Sequence, residues 1–193
     1  MKFSETPLSG VFLIDVEPRE DERGFFARTF CRREFEERGL ESNLVQCSLS
    51  FNRLRGTVRG VHFQRSPWQE VKIVRCTAGA IFDVIIDLRA ESPTFLKYFA
   101  VELSAANRRT LYVPKNFAHG FQTLADDTEV AYQMTEFYIP ASAAGVRWND
   151  SLFAIPWPLP VSMISDQDAG YADCQGLDDP RLSLTQPAPA VPS

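Results

Sequence analysis

Apolar and polar residues alternate in short runs along most of the chain, and turn-forming residues interrupt the runs at close intervals. A strand sends successive side chains to opposite faces, so this period of two predicts β-strands. Strands are expected over residues 10–16, 44–51, 71–76, 80–88, 98–103, 110–113, 120–123 and 128–137, with a further alternating, aromatic stretch over 25–30. Gly, Pro, Asn and Asp mark turns at 21–24, 78–79, 92–93, 105–107, 114–116 and 126–127. One short helix is expected over 32–38, with Gly39 where a C-terminal cap would sit. It is too short to carry the fold. Many short strands with hardly any helix predict an all-β antiparallel sandwich or barrel, and a jelly roll fits best because its interior is concave. Residues 148–157 are aromatic and proline-punctuated, residues 163–168 read MISDQD, and together they are expected to form a packed C-terminal extension. A single domain is expected over 1–177, followed by a disordered tail over 178–193, which is rich in Pro, Ala and Ser.

The stretch TVRGVHFQRSPWQEVK at 57–72 departs from an ordinary half-buried strand. Strict alternation puts Arg59 and Val61 on one face and Gly60, His62 and Gln64 on the other. Burying an arginine or an unpaired histidine is costly unless a partner or ligand compensates. Two readings remain open: a strand lining a polar cavity, or an edge strand with a solvated arginine and a satisfied histidine. Lys72, embedded in an apolar strand, either points into a cavity or snorkels at an edge. His119, in VPKNFAHGF, reads as a site residue or as a satisfied histidine at a barrel rim, next to a strand starting at Gly120. Tyr132 reads as a catalytic residue or as a core packer with one wet end.

Composition narrows the chemistry. The net charge of -5 and the absence of basic runs argue against bulk nucleic-acid binding. Cys31, Cys47, Cys76 and Cys174 lack CxxC spacing, which favours free buried thiols over a zinc site or disulfides. The N-terminal residues carry no apolar signal-peptide core and no run is long enough to span a membrane, so a cytoplasmic location is expected. With two histidines, His62 and His119, a His-rich metal site is disfavoured. The expected chemistry is acid–base work by side chains, with no metal and no cofactor.

An ordered series of segments adds a more specific reading. DERGFFARTF at 21–30, RGVHFQ at 59–64, VKIVRCTAGAIFDVIIDLRAESPTF at 71–95, LSAANRRTLYVPKNFAHGF at 103–121, YQMTEFY at 132–138, VRWND at 146–150 and ISDQD at 164–168 resemble the dTDP-4-dehydrorhamnose 3,5-epimerase family. That family is the dTDP-sugar isomerase branch of the cupins. The resemblance implies a cupin-type double-stranded β-helix that epimerises a nucleotide-linked 4-keto-6-deoxyhexose at C3, C5 or both, in deoxysugar biosynthesis. Hydrogens next to a ketone are acidic, so the reaction needs a base, an enolate stabiliser and an acid on the opposite face. By resemblance His62 is the base, Asp168 orients its imidazole, Lys72 places positive charge at the enolate oxygen and Tyr132 returns a proton. Arg23, Phe26, Gln46, Arg59, His119 and Tyr138 match positions that hold the nucleotide-diphosphate sugar. The resemblance also implies a homodimer in which the partner lends Arg23 and its neighbours from the N-terminal strand. Arg28, Ser48, Ala143 and Gln167 stand where the family often has Glu, Asn, Glu and Lys, all associated with nucleotide or diphosphate recognition. Two rivals are a non-catalytic nucleotide-sugar-binding cupin and a ketoisomerase that moves the ketone along the ring through the same enolate.

Overall fold

The computed structural model describes residues 1–175 together with Asp179 and Leu182, both of which are buried. The tail expected over 178–193 otherwise lies outside the described residues. The chain opens with β1 (Lys2–Glu5), β2 (Phe12–Asp15), β3 (Arg19–Asp21), β4 (Gly24–Phe26) and the helix α1 (Arg32–Glu36). It continues through β5 (Gln46–Asn52), β6 (Val58–Gln64), β7 (Lys72–Ala78), β8 (Ala80–Asp87) and β9 (Tyr98–Ser104). Then come β10 (Thr110–Val113), β11 (Phe117–Thr123), β12 (Thr128–Met134), β13 (Ala143–Gly145) and the short helix α2 (Asp166–Ala169).

Two antiparallel sheets form a jelly-roll sandwich. One has the order β1-β2-β10-β7-β12-β5 and the other β13-β6-β11-β8-β9, while β3 and β4 pair only with each other. Alternation decides which side chains meet between the sheets. Val74, Cys76, Leu111 and Val130 from the first sheet pack with Ile81, Ile85, Leu103 and Phe121 from the second. The outer face of the second sheet is also buried: Val61, Phe63, Val84 and Ile86 pack under Val146, Phe153 and Ile155 of the C-terminal extension. Burial on both faces explains why β8 reads as a nearly continuous apolar run. On the first sheet's outer face, α1 drives the fully buried Phe35 against Ile14, Ile73 and Tyr112. The helix ends as expected, with Gly39 at φ +67° and the Leu40 N–H donating to the Phe35 carbonyl at 3.0 Å.

Four expectations need correction. Residues 27–30 are not strand, and β1 forms from a segment too polar to stand out, through its pairing with β2. β11 begins at Phe117, so His119 sits mid-strand and 4% exposed, not at a rim. No disulfide joins the cysteines, but Cys76 alone is fully buried and Cys47 is exposed. The fourth correction concerns β6, where alternation breaks at a bulge: His62 faces His119 and Arg59 faces Phe121, leaving Gly60 and Val61 opposite Gly120 alone. The extra residue shifts the side-chain phase by one, so Arg59 and His62 share the inner face and Val61 packs outward.

The bulge depends on glycine. Gly60 has φ +120°, and a Cβ there would lie 2.6 Å from the Gly120 Cα and 2.9 Å from the His119 carbonyl oxygen. Backbone atoms cannot swing aside as a flexible side chain can. Gly60→Ala is therefore expected to destabilise the fold by about 3 kcal/mol in urea unfolding. A loss below about 1 kcal/mol would show that the two strands can separate at no great cost.

Candidate active site

The apolar interior gives way between the sheets to a polar cleft of about 480 Å³. It is lined by Arg59 and His62 from β6, Lys72 from β7, His119 from β11, Tyr132 from β12 and Asp168 from α2. An adjoining recess of about 350 Å³ shares His62, Lys72 and Tyr132 and adds Gln46, Glu70 and Tyr138. Volumes of this order suit a small ligand rather than a macromolecule. The cavity alternative thus holds for Lys72 and for the β6 stretch, and β6 is an interior strand between β13 and β11.

His62 is the best-organised group in the cleft. Its Nε2 lies 2.7 Å from Asp168 Oδ1, while the other carboxylate oxygen accepts the Gly60 backbone N–H at 3.1 Å. Asp168 is placed by α2, whose N-cap Ser165 accepts the Asp168 N–H through its side chain at 3.1 Å. The Asp168 side chain is 6% exposed and that of His62 is 42% exposed, so the imidazole is anchored at its back and open to the cleft at its front. Burial alone would raise the Asp168 carboxyl, but the hydrogen bond and charge of His62, with the Gly60 and Ser165 contacts, hold it below its ordinary value of 3.8. Its stabilisation is then fully present above that value and drains as pH falls through the lower folded-state value. Asp168→Asn is expected to flatten the acid limb of stability below about pH 4 in denaturant titrations, and an unchanged limb would count against this pairing.

A second histidine–carboxylate pair lies deeper. His119 Nε2 sits 2.8 Å from Asp83 Oδ2, with Asp83 fully buried and its Oδ1 without a partner. Burial pushes the Asp83 carboxyl above its ordinary value, against the opposing pull of His119 and of the Lys72 charge. The His119 ring meets Tyr132 edge to face at 5.9 Å between centroids. Burial, reinforced by the Asp83 charge and opposed by Arg59, pushes the Tyr132 phenol well above its ordinary value, which keeps it a neutral O–H donor. Lys72 Nζ donates to the His62 carbonyl at 3.3 Å and pairs with Glu70 at 3.1 Å. Arg59 reaches Asn52 Oδ1 from its Nε at 2.6 Å and the Phe51 carbonyl from one Nη at 3.4 Å, and the residue is exposed. Gln46 Oε1 accepts the Tyr138 N–H at 3.0 Å, and the Tyr138 ring stays exposed.

Arg23 and Phe26 are not brought to the cleft. Both sit on the β3–β4 hairpin, Arg23 paired with Asp21 and Phe26 75% exposed. Arg28 is likewise outside, bonded to Glu34 at 2.9 Å, whereas Ser48, Ala143 and Gln167 line the cleft or its recess. Sequence reasoning missed Asp83, Glu70 and Tyr171. Asp83 had a readable signal, since a carboxylate inside the run IFDVIID must be paired or protonated once buried. Tyr171 packs edge-on to the His62 ring at 6.2 Å and accepts from Gln167 at 3.3 Å, a placement that only the α2 turn creates.

A jelly roll whose cleft gathers an anchored imidazole, an ammonium and a neutral phenol holds the kinds of group that acid–base chemistry uses. Comparison with known proteins makes this specific. The sequence profile of the dTDP-4-dehydrorhamnose 3,5-epimerase family matches residues 5–175, and the chain belongs to that family. It is 42% identical over 173 residues to the dTDP-4-dehydrorhamnose 3,5-epimerase of Methanothermobacter thermautotrophicus, covering 88% of this chain and 92% of the relative. The Bacillus anthracis 3,5-epimerase, crystallised with TDP and PPi bound, superposes with a TM-score of 0.86 at 41% identity, covering 89% of this chain and 98% of that one. The Legionella pneumophila 3,5-epimerase, in complex with dTDP-4-keto-L-rhamnose, gives a TM-score of 0.83 at 36% identity, covering 88% and 90%.

Proposed function

We propose that the protein epimerises a nucleotide-linked 4-keto-6-deoxyhexose at C3, C5 or both, as its family relatives are named for doing. The observation that carries this reading is the His62–Asp168 pair opening into the same cleft as Lys72 and Tyr132. His62 takes the proton from the carbon next to the ketone, and the C–H electron pair moves into an enolate. The Lys72 ammonium stabilises the developing negative charge on the ketone oxygen, a role that a preorganised charge in a cleft fills well. The Tyr132 O–H then protonates the carbon from the opposite face, and proton exchange with water resets both groups.

Arg59 is suited to a forked contact with diphosphate oxygens. Gln46, His119 and Tyr138 border the space left for the sugar and the base. We further propose a homodimer in the cytoplasm, with Arg23 and Phe26 supplied to the cleft of a second copy. The exposure of Phe26, Leu49 and Phe51 on and beside the first sheet supports this, at 75%, 67% and 54%. Sedimentation reads the assembly directly.

Function is tested by incubating the protein in D2O with a panel of nucleotide-linked 4-keto-6-deoxyhexoses that differ in base, and following C3 and C5 by NMR. Deuterium at both carbons with an inverted product identifies a 3,5-epimerase and its donor, and deuterium at C3 alone identifies a mono-epimerase. Binding without exchange for every donor would replace this reading with that of a nucleotide-sugar-binding cupin.

A further inference from the structure

The recess wall carries a carboxylate that none of the roles above uses. Glu70 lies just before β7, its side chain 10% exposed, with Oε1 3.1 Å from Lys72 Nζ and Oε2 3.2 Å from Gln64 Nε2. A carboxylate so nearly buried is costly unless it is paired, so the question is which partner it serves. Gln64 does not need it: its amide NH2 has two hydrogens, and the Trp68 and Phe137 carbonyls already accept them at 3.0 and 3.1 Å. Its amide oxygen is engaged as well, accepting the Ile139 N–H at 2.7 Å.

Lys72 is the partner for which Glu70 matters. An ammonium has three N–H donors. Glu70 pairs with its charge at 3.1 Å and the His62 carbonyl accepts one N–H, both on the wall of the recess, which leaves N–H donors for an oxygen inside the cleft. The second contact also ties the ammonium to the backbone of the residue that carries the anchored imidazole. A lysine on its own is a flexible four-carbon tether, and holding it in one place against its rotamer entropy requires such contacts.

Accepting the epimerase reading above, we infer that Glu70 is a positioning residue of the reaction: its carboxylate fixes the Lys72 ammonium on the cleft wall so that a free N–H meets the ketone oxygen. The charge is as important as the contact. A neutral amide at this position can still accept from one partner, but it attracts the ammonium far less and also presents N–H groups toward it. Glu70 thus acts through Lys72 and has no contact with the reacting carbons.

The test is a double-mutant cycle read by C3 deuterium exchange. Glu70→Gln is expected to lower kcat for exchange by about 10- to 100-fold, the scale of a misplaced catalytic group, with KM changed by about twofold or less. In a Lys72→Met background, with residual exchange measured at high enzyme concentration, Glu70→Gln should add less than about twofold. Glu70→Asp, which keeps the charge, should recover most of the kcat lost in Glu70→Gln. Thermal unfolding and dTDP binding of each variant separate this effect from misfolding. Equal losses from Glu70→Gln in both backgrounds, a loss expressed in KM, or no rescue by Glu70→Asp would overturn the inference. So would a Glu70→Gln rate equal to that of the unmodified protein. No exchange by the unmodified protein would instead overturn the epimerase reading, and this inference with it.

Discussion

His62→Asn is expected to lower deuterium exchange at C3 and C5 by about 10³-fold or more, at the upper end of what a positioned general base contributes. Asparagine is chosen because it removes the base while leaving a polar amide at the near end of the ring; its amide stops short of the Nε2 position, and Asp168 keeps the Gly60 N–H as its partner. dTDP binding should change little, since Arg59 is anchored through Asn52 independently of the imidazole. Exchange at the unmodified rate would remove His62 as the base. A loss of exchange accompanied by an equal loss of dTDP binding would mean that the substitution disturbed the cleft as a whole.

Tyr132→Phe should separate two readouts that His62→Asn abolishes together. Without the phenol, the enolate can still form and recover a solvent-derived proton from the His62 side, so deuterium continues to enter the carbon with its original configuration. Formation of inverted product is expected to fall by about 10²-fold or more, with exchange reduced much less. The packing cost is small, because the ring that meets His119 edge to face is retained. Equal loss of exchange and inversion would count against assigning the two faces of the sugar to two different residues.

The fold was legible where the alternation was clean. β7, β8, β9, β10 and β12 lie within two or three residues of their expected bounds, because each buries a regular inner face. The beginning of β11 was hidden by the turn residues Pro114 and Asn116, which pull a reading of the following residues toward a loop although tertiary pairing with Asp87 and Ile86 makes them strand. The faces of β6 could not be read at all. A bulge is a property of two strands in register, and nothing in TVRGVHFQ states that two of its residues will share one partner. Strand patterning singled out His62, Lys72 and Tyr132 as candidates, while their roles, and Asp168 altogether, came from an ordered resemblance; the structure brings those four to one cleft. Glu70 escaped because it precedes its strand, where a carboxylate reads as an ordinary solvated residue. α2 escaped because four residues, DQDA, carry no helical period.

The contact between His62 and Asp168 spans 106 residues of chain. During synthesis the sheets therefore have most of their strands before the carboxylate that anchors the imidazole has left the ribosome. The segment that delivers Asp168 is continuous with the one that seals the outer face of the second sheet over Val61, Phe63 and Val84. A chain that stops before Asp168 thus lacks the carboxylate that holds the imidazole. The imidazole's anchor is among the last parts of the cleft to be made, and it arrives on the same stretch of chain that follows the cover of the second sheet.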